Sequence, residues 1–145
     1  MPSVTRAMII AAAEDWLGTP YRHQASLKGV GADCLGLVRG VWRELYGGEP
    51  EPMPAYTPDW AEARGADMLA EAARRHMSAV AIAEARPGDL LLFRWRERMP
   101  AKHAALLVAQ DRFLHAHDGA AVATAALTPW WRARLAFVFA FPGVE

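Results

Sequence analysis

The spacing of apolar residues changes near residue 86, and this change narrows the possible folds more than any other feature. Before that point apolar residues recur every three or four positions, as between Cys34 and Leu45, which is typical of helices. After the turn sequence at 86–89 they form short β-prone runs. Helices followed by strands, rather than alternating with them, favour an α+β fold. The sequence therefore predicts N-terminal helices packed on a small antiparallel β-sheet.

Start and stop signals place the individual elements. A first helix is predicted from a cap at Ser3 or Thr5 to Gly18, and a second from Asp33 to Gly47. Residues 21–32 are predicted to form a loop, residues 49–58 a Pro-rich connector, and residues 59–76 a helix. The predicted strands, divided by turn residues and by Pro129, are Leu90–Phe93, Ala104–Ala109, Arg112–His117 and Leu135–Phe141.

Length and charge exclude several classes of protein. The chain has 145 residues, 53% of them hydrophobic, with 16 basic and 16 acidic side chains. We expect residues 1–145 to form a single domain. With zero net charge, the chain lacks the excess of basic side chains that is typical of a nucleic-acid-binding protein. The longest apolar runs have seven residues, against about 20 needed to cross a bilayer. Glu14 interrupts the first run before any cleavage site, so no secretory signal is expected. From the run lengths and the net charge, neither membrane insertion nor a nucleic-acid partner is expected.

The chain has one cysteine, Cys34, so no intramolecular disulfide can form. It lies in the first turn of the second predicted helix, where unpaired amides and the positive end of the helix dipole favour a thiolate. This position predicts a lowered thiol pKa and a nucleophilic sulfur. A lone cysteine can also be a small buried apolar side chain, and that interpretation stays open.

Two histidines provide the partners that a nucleophilic thiol requires. His103 begins one predicted strand, and His115 lies twelve residues later in the next. A two-residue turn at 110–111 places His103 opposite Asp118, so a wider turn or a bulge is needed to join the histidines. An imidazole can take the thiol proton and return it to the leaving amine. We predict Cys34 as nucleophile, His103 as general base and acid, and His115 as the group that orients His103. A histidine in a strand can also be structural, and that interpretation stays open for each of the two.

Zinc binding is the alternative chemistry for these histidines. His115 and His117 would share one face of a strand and could bind zinc together with His103 or Cys34. The sequence contains no HExxH or CxxC spacing in support of a metal. We therefore predict a thiol-dependent site without a metal or other cofactor.

Four motifs occur in order along the chain. They are Leu17-Gly18-Thr19-Pro20-Tyr21, Asp33-Cys34-Leu35-Gly36-Leu37-Val38, Arg86-Pro87-Gly88-Asp89-Leu90, and the pair His103 and His115. Together, from about residue 7 to 141, they resemble the NlpC-type cell-wall peptidases, which are papain-like cysteine peptidases. The resemblance implies a papain-like α+β domain with Cys34 as nucleophile, His103 as base and His115 as third residue. It also implies that Tyr21 assists oxyanion binding and that Asp33 takes part in substrate binding.

The resemblance also implies a substrate and partners. Members cut amide bonds in peptidoglycan stem peptides, commonly after γ-linked D-glutamate. Leu35 stands where serine is usual, which leaves the peptide specificity open. The segment 22–28 and the ending Trp130-Trp131-Arg132 resemble the phage and gene-transfer-agent branch, whose members lie in tail assemblies. We expect phage-like tail or hub partners, assembly in the bacterial cytoplasm, and action on periplasmic peptidoglycan.

Several alternatives stay open on these residues. The chain could be a structural tail-hub module with vestigial catalytic residues, or an acyl transferase in which an amine captures the thioester. Trp130 and Trp131 could anchor a tail partner or close the core. The basic cluster from Arg94 to Lys102 could attract carboxylates of wall peptides or be a solvated loop.

Overall fold

The structure is a computed structural model that describes residues 3–50, 68–117 and 119–144. The described helices are α1 (Arg6–Glu14), α2 (Cys34–Tyr46), α3 (Met68–His76) and α4 (Pro129–Arg134), with a short 3₁₀ turn at Ile82–Glu84. The strands are β1 (Ser26–Leu27), β2 (Gly31–Ala32), β3 (Ser78–Val80), β4 (Leu90–Phe93), β5 (His103–Ala109), β6 (Arg112–His115), β7 (Ala123–Ala126) and β8 (Leu135–Ala140). The three longer helices precede the strands β4–β8, as predicted, but the short strands β1 and β2 lie before α2 and a short helix, α4, lies between β7 and β8.

A six-stranded antiparallel sheet forms the centre of the fold, in the order β3-β8-β4-β5-β6-β7. One sheet face, with Leu92, Ala104 and Leu106, shares a core with apolar side chains of α1 and α2. The opposite face, with Leu91 and Phe93, packs against a second buried cluster. Burial on both faces explains why the strands are continuous apolar runs rather than alternating ones.

The predicted starts of the first two helices are confirmed, with Thr5 rather than Ser3 as the cap of α1, whereas α1 ends at Glu14 and not at Gly18. The Thr5 hydroxyl accepts a hydrogen bond from the Met8 amide at 3.1 Å, at the start of α1. The Asp33 carboxylate accepts one from the Gly36 amide at 2.7 Å, at the start of α2. Gly47 ends α2 with a φ of 84°, a left-handed conformation that glycine adopts without strain.

Glycine at position 40 lets α2 approach Trp16, in the turn after α1, closely. A Cβ atom there would collide with the indole ring of Trp16, which is 3% exposed in the core. Helix α1 is also fixed to the sheet at the predicted 86–89 turn, because Arg6 forms a 2.7 Å ion pair with Asp89. Asp89 is fully buried and also accepts the Arg86 amide at 2.8 Å. This turn therefore sets the position of α1 relative to β4.

Several elements differ from the predictions. The segment 21–32 contains the short pair β1 and β2. Strands β3 and β7 were not predicted, because β3 has only three residues and β7 is short and rich in alanine. Pro129 starts α4 instead of only breaking the chain, because proline fits the first helical position, and Thr128 caps it. Strand β6 ends at His115, so His117 lies beyond it.

One predicted helix is described only in part. Its end is α3, whereas residues 59–67 and most of the Pro-rich connector lie outside the described residues. Within the described parts of the chain, no helix is long and apolar enough to cross a membrane.

The β5–β6 hairpin decides whether the two predicted catalytic histidines meet. Its two-residue turn is confirmed, since Ala109 pairs with Arg112. A bulge then shifts the register by one, so that Leu107 pairs with Phe113. The bulge moves His103 one position closer to His115 than an unbroken two-residue hairpin allows. The two side chains, diagonal neighbours on one sheet face, are then within reach of each other.

Candidate active site

Cys34 is the first residue of α2, as predicted, and is half-buried. Its sulfur accepts a hydrogen bond from the backbone N–H of Ala104 in β5, and the amides of Leu35 and Cys34 itself also face it. The Ala104 contact places the thiol at the beginning of β5, one residue along the strand from His103. Capping of α2 by Asp33 and packing of α2 on β5 together fix this position.

The electrostatic environment of the thiol differs from the prediction. Burial raises the pKa of Cys34 to about 11, and the neighbouring Asp33 carboxylate adds to the rise. The hydrogen bonds from backbone amides act in the opposite direction but do not outweigh the desolvation. The predicted lowered pKa is therefore wrong. At neutral pH the sulfur is a protonated thiol, which requires a base for attack.

His103 and His115 form a hydrogen-bonded pair, as the predicted site requires. His103 Nε2 and His115 Nδ1 are 2.8 Å apart, and the residues are only 4% and 7% exposed. Burial lowers the pKa of His103 well below its usual value, with His115 and His117 adding to the effect. Burial, and then His117, lower the pKa of His115 to about 4. Both imidazoles are therefore neutral near pH 7, so each has one nitrogen able to accept a proton.

Two tryptophans surround the histidine pair, and the sequence analysis did not assign them to the site. The Trp95 ring stacks on His103 with centroids 5.4 Å apart. Trp131 contacts the rings of His103 and His115 at 5.9 and 5.5 Å, and also that of Phe93. The signal for Trp131 was its place in the Trp130-Trp131-Arg132 motif, but only the fold shows that α4 brings it to the histidines. These rings restrict the orientation of the imidazoles.

His117 is the third imidazole of the cluster. Its ring is exposed and stacks on that of His115, with centroids 5.4 Å apart and planes at 18°. One ring nitrogen from each of His103, His115 and His117 lies within 4.8 Å of the other two. Of the described residues, these three could hold a metal ion. Cys34 is not part of that set.

Asp33 caps α2 directly before Cys34, and Tyr21 is joined to the neighbouring residue Ala32. Both oxygens of Asp33 accept backbone amides, one from Gly36 and one from Gln24, each at 2.7 Å. Asp33 therefore caps the helix and fixes the loop before it, and a contact with substrate stays a prediction. Tyr21 pairs with Ala32 through an isolated backbone bridge and packs on the same core as Cys34. Its predicted part in oxyanion binding stays a prediction.

Leu35, at the position where serine is usual, has a packing role. Its side chain is 9% exposed and belongs to the core between α2 and the sheet. It also lines an apolar pocket of ≈ 80 Å³ with Leu69, Met77 and Ala104. The hydroxyl of a serine is thus replaced by apolar contacts.

In the tryptophan pair and in the basic cluster, some side chains are buried and others are exposed. Trp130 is 51% exposed, with the Arg134 guanidinium 3.6 Å from the centre of its ring, whereas Trp131 is half-buried against the histidines. One tryptophan therefore closes the core and the other faces solvent. In the basic cluster, Arg94 is half-buried and lies 5.5 Å from the Phe137 ring, while Arg96 and Arg98 are exposed.

The sequence is similar to a known protein family and to curated members of known activity. Residues 18–139 match the NlpC/P60 family. A curated relative, the murein DD-endopeptidase MepS/murein LD-carboxypeptidase of Escherichia coli K12, is 30% identical over 121 residues, which are 83% of this chain and 54% of the relative. The γ-DL-glutamyl hydrolase of Bacillus subtilis 168 is 26% identical over 135 residues, 92% of this chain and 29% of the relative. The chain thus spans about half the length or less of these relatives.

Solved structures show the same fold. An NlpC/P60 family protein from Bacillus cereus ATCC 10987 matches with a TM-score of 0.70 at 19% identity, covering 97% of this chain and 41% of that one. The NlpC/p60 domain of the peptidoglycan hydrolase SagA matches with a TM-score of 0.66 at 22% identity, covering 95% of this chain and 100% of that domain. The predicted α+β architecture is confirmed by these matches. On its sequence match over residues 18–139, the chain belongs to the NlpC/P60 family.

Proposed function

We propose that the protein is a cysteine peptidase that hydrolyses amide bonds in the stem peptides of peptidoglycan. Cys34 is the nucleophile, His103 the general base and acid, and His115 the residue that orients His103. The observation that carries the proposal is the buried His103–His115 pair beside the strand amide that contacts the thiol. Family membership and the names of the relatives support the same chemistry.

The hydrogen bond between the histidines assigns their ring nitrogens. His103 Nε2 is bonded to His115 Nδ1, which leaves His103 Nδ1 to accept the thiol proton. For that role Nδ1 must be unprotonated, so Nε2 carries the hydrogen and donates it to His115. His115 thus holds His103 in the tautomer that functions as a base. It also stabilises the imidazolium that forms when the thiol proton is transferred.

Proton transfer and attack are concerted in this scheme, because the resting thiol and imidazole are both neutral. The Cys34 proton moves to His103 as the sulfur attacks the amide carbonyl carbon, and the carbonyl oxygen becomes an oxyanion. The Cys34 backbone amide and the Tyr21 hydroxyl are the proposed oxyanion donors. His103 then gives its proton to the leaving amine, which yields a thioester. Water, deprotonated by His103, releases the acid and restores the thiol.

The scissile bond is proposed to follow γ-linked D-glutamate in the stem peptide. The name of the Bacillus subtilis relative includes γ-DL-glutamyl hydrolysis, whereas that of the Escherichia coli relative includes DD and LD murein bonds. Defined muropeptides with and without a DD cross-link distinguish these bonds. Mass spectrometry of the fragments identifies the new terminus in each case.

The test of the activity compares the wild-type chain with Cys34→Ala on purified peptidoglycan. Release of soluble peptides by the wild-type chain should be abolished in Cys34→Ala and in His103→Ala. His76→Ala, which removes a histidine outside the site, is the matched control and should release peptides normally. Peptide release that is undiminished in Cys34→Ala would exclude the proposed mechanism. Products that carry an added amine in place of water would assign acyl transfer.

We also infer that the chain acts as part of a phage-like tail, assembled in the bacterial cytoplasm and delivered to periplasmic peptidoglycan. The resemblance of the Trp130-Trp131-Arg132 ending supports this, as does the exposed Trp130 with Arg134 stacked on it, since Trp and Arg are enriched at interface anchors. An antibody against the chain should detect it in gradient-purified particles from a producing strain. Its presence in cell extract but not in such particles would contradict the inference.

A structural module with vestigial catalytic residues is the second candidate. The raised pKa of Cys34 favours it, because a protonated thiol is a weak nucleophile. Such a module would remain in the particles but release no peptides from any peptidoglycan, whereas the peptidase would do both.

A further inference from the structure

The histidine cluster contains one more imidazole than the proposed peptide hydrolysis uses. His103 and His115 have roles in that reaction, whereas His117 has none. The ligand nitrogens of all three lie within 4.8 Å of one another. We propose that His103, His115 and His117 bind one divalent transition-metal ion of the zinc class, and that this ion inhibits the enzyme. The inhibition, unlike the binding, rests on the proposed function.

The spacing of the imidazoles is close to that of a three-histidine zinc site. Zinc–nitrogen bonds of about 2.0–2.1 Å in a tetrahedron place the nitrogens about 3.3 Å apart. His103 Nε2 and His115 Nδ1 are 2.8 Å apart, so they must separate by about half an ångström and lose the shared hydrogen. His117 lies beyond the end of β6 and is exposed, so its side chain is able to close on the ion. Three nitrogens leave the fourth position of the tetrahedron for water.

The donor set favours one class of ion. All three donors are imidazole nitrogens, which suit zinc, copper and nickel, whereas magnesium and calcium prefer oxygen. Trp95 and Trp131 pack on the same rings, at 5.4 Å from His103 and 6.0 Å from His117. An apolar shell of this kind restricts the ligand orientation and limits water around the ion.

Inhibition follows from the chemistry of a bound imidazole. A neutral imidazole that donates one nitrogen to a metal carries its hydrogen on the other nitrogen. His103 would then have no free lone pair, whichever nitrogen binds the ion. It could not accept the thiol proton, and the hydrogen bond to His115 would be lost. Metal binding and general-base catalysis therefore exclude each other.

Zinc binding to the purified full chain tests the site directly. The experiment uses Zn²⁺ alone, measured by calorimetry and by metal analysis after gel filtration, in the wild-type chain and in Cys34→Ala. Both should bind one ion per chain, because the thiol is not a ligand. His117→Ala, an exposed position that should not impair folding, should bind at least about tenfold more weakly. His76→Ala, a histidine outside the cluster, should bind as the wild-type chain does.

The outcomes separate the metal site from the peptidase. Absence of one-to-one binding, loss of binding in Cys34→Ala, or unchanged binding in His117→Ala would overturn the three-histidine site. Weakening by His76→Ala to the same extent would show a nonspecific ion and would also overturn it. In the wild-type chain, zinc should stop peptide release from peptidoglycan, and a chelator should restore it. Full activity with zinc bound would overturn the inhibition. A chain that binds zinc but releases no peptides even without zinc would count against the proposed function and not against the site.

Discussion

Burial of the histidine pair links the stability of the fold to pH, and His115 allows the size of the effect to be worked out. Its pKa is lowered from 6.5 to about 4. Between these values the unfolded chain binds a proton that the folded chain does not. The contribution of His115 to the free energy of unfolding is therefore fully present above about pH 6.5 and is lost as the pH falls toward 4. At pH 5 the linkage relation gives a loss of about 2 kcal/mol from His115 alone, and His103 adds to it.

Urea unfolding at pH 7 and pH 5 measures this loss. The free energy of unfolding of the wild-type chain should fall by at least about 2 kcal/mol between the two values, or about 1 M in the urea midpoint. His115→Gln keeps a polar side chain but cannot be protonated, so its fall should be smaller by about that amount. Glu49 contributes little at pH 5, since the Arg39 hydrogen bond lowers its pKa below the usual 4.5.

The comparison is internal to each variant, so any loss that His115→Gln causes at both pH values cancels. His76→Gln is the matched control and should retain the wild-type fall. An equal fall in the wild-type chain and in His115→Gln would refute the assignment of the acid sensitivity to this buried pair.

Three other perturbations test the helices and the thiol. Iodoacetamide should alkylate Cys34 slowly at pH 7, because the raised pKa leaves little thiolate, and the rate should rise about tenfold for each unit of increase in pH. Alkylation at the rate of a free thiol would contradict the desolvation of the sulfur. Gly40→Ala should lower the free energy of unfolding by about 1–3 kcal/mol through collision with Trp16. Gly48→Ala, which meets nothing within 4 Å, should change it by less than about 0.5 kcal/mol, and equal effects at both positions would exclude the collision. Asp33→Ala should cost about 2 kcal/mol in urea unfolding by removing acceptors for two amides, and no loss would show that the cap is dispensable.

The helix starts could be predicted because their signals are local. Thr5 and Asp33 each satisfy an amide three residues ahead, and this geometry needs no information from the rest of the chain. Strand β4 was predicted with its observed bounds, because a short apolar run between turn residues is too short for a helix and favours a buried strand. Short alanine-rich strands such as β7 have no comparable signal, since their pairing partner alone makes them strands.

The geometry of the site could be predicted only in part. The identity of the two histidines followed from the sequence, but their contact depends on the bulge between Leu107 and Ala109. A bulge is selected by packing on both faces of the sheet, so a turn sequence does not reveal it. The pKa of Cys34 depends on a balance between the helix end and burial. Only the three-dimensional structure shows that burial dominates.

The beginning of β5 joins two separate cores, because Ala104 contacts the Cys34 thiol from one core and the His103 ring lies in the other. Ala104 belongs to the core shared with the helices, and its backbone amide reaches the sulfur at the start of α2. His103, one residue earlier, has its ring among Phe93 and Trp131 of the second core. Neighbouring residues of a strand point to opposite faces, so a sheet covered on one side could not supply both environments. Burial on both faces is therefore a condition for this site as well as for stability.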